Sequence, residues 1–191
     1  TLINLMMGLY FPQSGVFEIN NTEIKDFYKN DILISFQRKT AYVPQKIYLM
    51  NSTLLENITF QNKENVDFKK LHNVLKGSEL LEVVNKLPKG LDTKIGEYGM
   101  QLSGGQQQRI GLARALYKKD IDLLFLDEAT NALDINTERK IIKNLSKISK
   151  KSTVIMITHR YETLRSCSRV IKIENGKIIK DGVPNEILED M

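Results

Sequence analysis

The chain has 191 residues, enough for one domain with a sizeable core or one domain carrying an inserted lobe. With 41% hydrophobic and 27% charged residues it reads as a globular protein, not a disordered one. The net charge of +5 rests on 28 basic residues scattered along the chain, with Lys69-Lys70, Lys118-Lys119 and Lys150-Lys151 as the lysine pairs; this fits solvated surface better than a nucleic-acid face.

The single cysteine, Cys167, excludes an internal disulfide and suits a reducing compartment. No apolar run approaches the ~18 to 20 residues that span a bilayer, and no secretory signal opens the sequence, so the segment is expected on the cytosolic side. It begins at Thr1, inside a predicted helix, and is expected to be a fragment.

Thr1 to Gly8 carries apolar residues on nearly every side, which predicts a buried helix ending at Gly8. Gly15 to Ile19 alternates toward a strand that Asn20-Asn21 turns, and Ala41-Tyr42-Val43-Pro44 is a second short strand with Gln45 at its exit. In Met50 to Ile58, Ser52 or Thr53 caps a short helix with Glu56 as its N3 partner. Two helices follow, over about Asp67 to Lys76 and Ser78 to Leu87, stopped by Pro88 and Gly90; His72 falls on a polar face as surface. Gly96-Glu97-Tyr98-Gly99 then reads as a loop.

Ser103-Gly104-Gly105-Gln106 is a capping box that starts a helix running to about Tyr117. The open N–H groups and positive dipole end, beside two glycines, make an anion seat; the same four residues also suit an ordinary capped helix. Ile121 to Leu126 is a short apolar run rich in large residues, the pattern of a strand buried on both faces of a parallel sheet, and it ends in Asp127-Glu128. Ligands of open α/β sheets gather at the carboxyl ends of strands, so these adjacent carboxylates are placed for metal and proton chemistry, Asp127 toward Mg²⁺ and Glu128 toward a water; a solvated strand terminus is the other reading.

After Asp134 a helix is predicted to about Lys150, with Ile135, Ile141, Ile142, Leu145 and Ile148 as its apolar stripe. Thr153 to Thr158 is a continuous buried strand delivering His159 at its carboxyl end, parallel to the strand that ends in Asp127. Asn175-Gly176 between alternating segments is a hairpin signal, and Pro184 suits the first turn of a last helix.

Leu102 to Gln106, Leu123 to Glu128 and Asn131-Ala132-Leu133-Asp134 together resemble the signature, Walker B and D-loop motifs of ATP-binding-cassette (ABC) ATPases, in that family's order and spacing. The resemblance extends over essentially the whole chain. It implies an α/β fold: a P-loop NTPase-like parallel-sheet core over 1–60 and 102–191, an inserted helical subdomain over 61–101, and a C-terminal β-hairpin. Tyr42 to Gln45 resembles the Q-loop, whose glutamine reaches Mg²⁺ and the attacking water, and His159 resembles the switch histidine at the γ-phosphate. Asn51 to Ile58 is similar to a phrase of exporter-type members, in which a glutamate matching Glu97 contacts cytoplasmic extensions of the membrane helices. Thr1 would close the phosphate-binding loop, whose lysine and serine would lie just before it. By that alignment residues 1–191 alone are expected to bind ATP poorly and to hydrolyse none.

What the resemblance implies is an ATPase using ATP and Mg²⁺, with Glu128 and His159 catalytic, Asp127 and Gln45 on the metal, and Thr1, Gln45, Ser103, Gly104, Gly105 and Gln106 on nucleotide. The expected partners are a second ABC ATPase domain, with Asp134 at the seam, and a transmembrane domain, fused or separate, at the cytoplasmic face of a bacterial inner membrane. No nucleic acid is expected. A soluble ABC ATPase and a degenerate cassette kept as a binding module are the alternatives.

Overall fold

The computed structural model describes residues 1–23, 32–97, 100–148 and 151–189. Tyr98, Gly99 and the helix end expected at Lys150 lie outside the described residues. Nine strands are described, β1 (Glu18–Ile19), β2 (Thr22–Glu23), β3 (Thr40–Val43), β4 (Ser52–Thr53), β5 (Lys94–Ile95), β6 (Leu123–Asp127), β7 (Thr153–Ile157), β8 (Val170–Glu174) and β9 (Lys177–Gly182). The helices are α1 (Leu2–Met6), α2 (Ile32–Arg38), α3 (Leu54–Thr59), α4 (Phe68–Gly77), α5 (Leu81–Lys86), α6 (Gly104–Tyr117), α7 (Ile135–Ile148), α8 (Tyr161–Arg165) and α9 (Pro184–Leu188).

The central sheet is parallel, in the order β3-β6-β7. Leu124, Phe125 and Leu126 of β6 are buried because the strand is covered on both faces. On one side Leu124 and Leu126 join Leu112 and Ala115 of α6 with Ile141 and Leu145 of α7; on the other, Phe125 meets Ile3 and Met7 of α1. A second apolar cluster joins α3, α4 and α5 to Ile110, Ala113 and Tyr117 of α6. One helix thus serves both cores.

The capping signals hold at atomic level. Thr53, not Ser52, caps α3: its hydroxyl accepts from the Glu56 N–H while the Glu56 carboxylate accepts from the Thr53 N–H. Ser103 and Gln106 form the same reciprocal pair at the start of α6. Asn20-Asn21 and Asn175-Gly176 turn their hairpins through positive φ at both residues.

Several expectations are corrected. Over residues 1–8 Ile3, Met7 and Gly8 are buried, with Leu2 49% exposed, because the i, i+4 pair Ile3 and Met7 is what meets Phe125. The first hairpin strand is confined to Glu18–Ile19. Ser78 closes α4 instead of opening α5: its buried hydroxyl donates to the Val74 carbonyl, and Glu79 turns away at φ +56°. Ile135 is exposed on the first turn of α7, and the buried residue of that turn is Glu138. β7 is only partly buried, since it is the end strand of the described sheet. β4, β5 and α2 carried no recognised signal, being two-residue strands and a helix with no buried residue.

Candidate functional site

Three neighbouring parallel strands deliver Gln45, Asp127-Glu128 and His159 to one end of the sheet. Gln45 follows the end of β3 by two residues, and His159 follows β7 by two. Glu128 is the first residue past β6. Its backbone turns to φ +49°, uncommon for a residue with a Cβ, while its N–H still donates to the Ile157 carbonyl. The turn takes its side chain out of strand alternation and across the sheet end.

There the carboxylate has three partners. Gln45 Nε2 donates to Glu128 Oε2 at 2.6 Å and Asn131 Nδ2 donates to the same oxygen at 2.7 Å. His159 Nε2 lies 3.3 Å from Oε1, with the ring 82% exposed, so one face of the histidine stays open to a ligand. Asp127 points elsewhere: its Oδ2 accepts from the Tyr42 hydroxyl at 3.2 Å, and Asp127 together with burial raises the Tyr42 pKa, burial being the larger cause. The two adjacent carboxylates are therefore held by different partners.

Asp127 and the amide oxygen of Gln45 are hard oxygen donors at neighbouring strand ends, the kind of partial set Mg²⁺ uses when water and phosphate supply the rest. Among the described residues no group of three or more His, Cys, Asp or Glu could hold a metal by itself. The donor set fits an ion shared with a phosphate ligand.

Ser103 and Gly104 are exposed at the start of α6. Gly105 packs against the 129–133 turn, where a Cβ would stand 2.8 Å from the Ala132 carbonyl oxygen. Gln108, 6% exposed, completes this contact: Nε2 donates to the Glu128 carbonyl and Oε1 accepts from the Ala132 N–H at 2.8 Å. The start of α6 and the Glu128 turn are thus bolted together within one chain. Asp134 caps α7 by accepting from the Thr137 N–H at 3.0 Å. Thr1 is exposed at the N-cap of α1, and Glu97 is exposed after β5; neither joins the Glu128 cluster.

A cleft of ≈ 720 Å³ opens along β3, with walls that include Tyr42, Pro44, Phe60, Arg114 and Lys118. Phe60 ends α3 at φ +53° and is 63% exposed, with the Arg114 guanidinium 5.2 Å from its ring centre.

Sequence reasoning missed Asn131 as a ligand of Glu128, and it missed Gln108, Arg160 and Glu138 altogether. Two carried a signal: Gln108 lies four residues before Leu112 and Glu138 three before Ile141, so both occupy the buried stripes of their helices. Asn131 and Arg160 sit in irregular segments where spacing says nothing of direction.

The ABC transporter family profile matches residues 1–131. A lipid A-core flippase of Ralstonia nicotianae is 35% identical over 191 residues, covering 99% of this chain and 31% of the flippase. ABC transporter B family member 21 of Arabidopsis thaliana is 38% identical over 190 residues, 100% of this chain and 14% of that protein. Among solved structures, a bacterial Atm1-family ABC exporter with ATP bound superposes with a TM-score of 0.88 at 28% identity, covering 99% of this chain and 32% of the exporter chain. The chain therefore spans about a third or less of the length of these relatives.

Proposed function

The chain belongs to the ABC transporter family, and from that premise we propose that it is the ATP-binding and ATP-hydrolysing domain of an exporter-type transporter, powering export or flipping of a substrate across a membrane. The observation that carries the proposal is the junction of Gln45, Asn131 and His159 on the Glu128 carboxylate at the ends of three parallel strands.

In this reading Glu128 takes the proton of the attacking water, and Gln45 and Asn131 hold its carboxylate toward that water. His159 steadies the γ-phosphate as it departs, using the ring face that Glu128 leaves open. Asp127 and the Gln45 amide oxygen would hold Mg²⁺, which neutralises phosphate charge when bound. Positioning and electrostatics account for most of the acceleration, as in phosphoryl transfer generally. Thr1, with Ser103, Gly104, Gly105 and Gln106, belongs to the nucleotide-binding set, Ser103 and Gly105 facing the γ-phosphate held by a second ABC domain; Asp134 lies at the seam between the two.

The division into a core of 1–60 and 102–191 and a helical lobe of 61–101 is part of the proposal; β6 and α7 gather in one apolar cluster, and α4 and α5 in another that α3 and α6 of the core help to build. The other partner is a transmembrane domain at the cytoplasmic face of the membrane, meeting Glu97 and the cleft at Phe60. The exposed aromatic beside a cationic wall supports this choice, since such patches mark protein contacts.

The test is Glu128→Gln in the intact protein. Retained ATP binding, a trapped closed pair of domains and turnover lowered by orders of magnitude are expected. Unchanged turnover would remove Glu128 from the base role.

A further inference from the structure

Glu138 is the one buried carboxylate or cation among the described residues, at 4% exposure. It occupies the apolar stripe of α7, one turn before Ile141, where an aliphatic side chain would pack without cost. Both of its oxygens are hydrogen-bonded. Oε1 accepts from Thr130 Oγ1 at 2.9 Å and from Thr163 Oγ1 at 2.7 Å, and Oε2 accepts from Arg160 Nη1.

The other edge of the Arg160 guanidinium turns to the backbone. Nη2 donates to the Asn131 carbonyl at 2.9 Å and to the Leu133 carbonyl at 3.0 Å. One planar fork therefore joins the first turn of α7, the turn after β6 and the segment after β7. A buried ion pair is a poor stability device, because desolvation offsets most of its attraction and an apolar replacement is often as stable. What it supplies is fixed geometry, and a guanidinium supplies it in two directions at once.

Two of the segments it joins, the turn after β6 and the segment after β7, lead to the proposed base. Asn131 is the residue whose amide reaches Glu128 Oε2, and His159, adjacent to Arg160, is the residue whose ring stands at Oε1. We propose that Arg160 and Glu138 are positioning residues for hydrolysis: the buried Glu138 orients Arg160, and Arg160 sets the Asn131–Leu133 backbone and the His159 segment so that both oxygens of Glu128 are held in working geometry. This rests on the hydrolytic reading above. Neither residue touches the reacting atoms.

The experiment uses the intact protein and compares Arg160→Lys, Glu138→Gln and Asn131→Ala with the wild type for kcat, KM for ATP and thermal midpoint. Lysine keeps the charge but lacks the fork; glutamine keeps volume and one acceptor oxygen. Arg160→Lys is expected to lower kcat about ten- to a hundredfold, as small misplacements of reacting groups do, while KM stays within about twofold. Glu138→Gln changes kcat in the same direction by less. In an Asn131→Ala background, Arg160→Lys loses the part of its effect that runs through Asn131 and keeps the part that runs through His159, so the double variant falls short of the product that independent effects would give.

A lowered thermal midpoint with wild-type kcat in both Arg160→Lys and Glu138→Gln overturns the proposal and leaves a merely structural pair. Should Arg160→Lys fail to fold, kcat of Glu138→Gln decides alone. Wild-type turnover that Glu128→Gln abolishes is the control: its absence overturns the hydrolytic reading together with this one, whereas its presence beside unchanged variants overturns this one only.

Discussion

Gly105 and Ala132 approach so closely that a methyl group on the glycine would stand 2.8 Å from the Ala132 carbonyl oxygen. The neighbouring Gly104 would meet only the Ala132 Cβ, at 3.4 Å. Because a backbone oxygen yields less readily than a side chain, Gly105→Ala is expected to destabilise the protein by about 1 to 3 kcal/mol and Gly104→Ala by clearly less. Denaturant midpoints of the two variants, measured side by side, check the order; equal costs would mean that the contact is slack.

The Gln45 amide lies 2.6 Å from Glu128 Oε2, so a carboxylate placed there would face another at hydrogen-bond distance. Gln45→Glu removes the donor and sets a like charge against the Glu128 carboxylate, and is expected to lower kcat about ten- to a hundredfold, while Gln45→Ala lowers it by less. Single-turnover ATP hydrolysis by the two variants checks the order; equal losses would count against charge repulsion as the cause.

Arg114 is half-buried against the α3 segment, with no carboxylate partner among the described residues, and donates to the Asn57 carbonyl at 2.5 Å, to Asn57 Oδ1 at 2.9 Å and to the Tyr48 carbonyl at 2.6 Å. Burial lowers its pKa. Removing it strands acceptors beside the fully buried Asn57, so Arg114→Ala should cost about 2 to 4 kcal/mol. Arg114→Lys should recover only part of this, because an ammonium lacks the planar fork that reaches all three oxygens. Equilibrium unfolding of both variants measures the difference.

Asp134 has its pKa lowered by hydrogen bonds from the Thr137 side chain and backbone, its capping contact at the start of α7. A folded-state pKa below the unfolded one contributes stability that is fully present above the ordinary Asp value of about 3.9 and is lost as pH falls through the lower folded value. Amide exchange in the first turn of α7 should therefore quicken in acid, below about pH 4. Asp134→Asn, which still caps but does not titrate, should abolish that pH dependence, and persistence of the acid step in this variant would assign it to another group.

Much of the fold was legible in the chain because its signals are local. Capping boxes at Thr53 and Ser103, the apolar run of β6 and the Asn175-Gly176 turn each depend on residues a few positions apart, and each is present where expected. The end of α4 at Gly77 was legible to within one residue, whereas the positive φ that turns the chain falls on Glu79, a residue type that does not announce it.

The sequence by itself determined the element types, the strand ends that carry Gln45, Asp127, Glu128 and His159, and the motif order that resembles the ABC family. Only the tertiary structure decided how Glu128 is held. Its partners Gln45 and His159 lie 83 and 31 residues away, and Gln108 reaches its carbonyl from 20 residues upstream. Helical and strand periodicity fix which face a side chain takes, not which distant segment comes to meet it; that depends on parallel strand order and on the fork of Arg160 held by the buried Glu138, which no local pattern encodes.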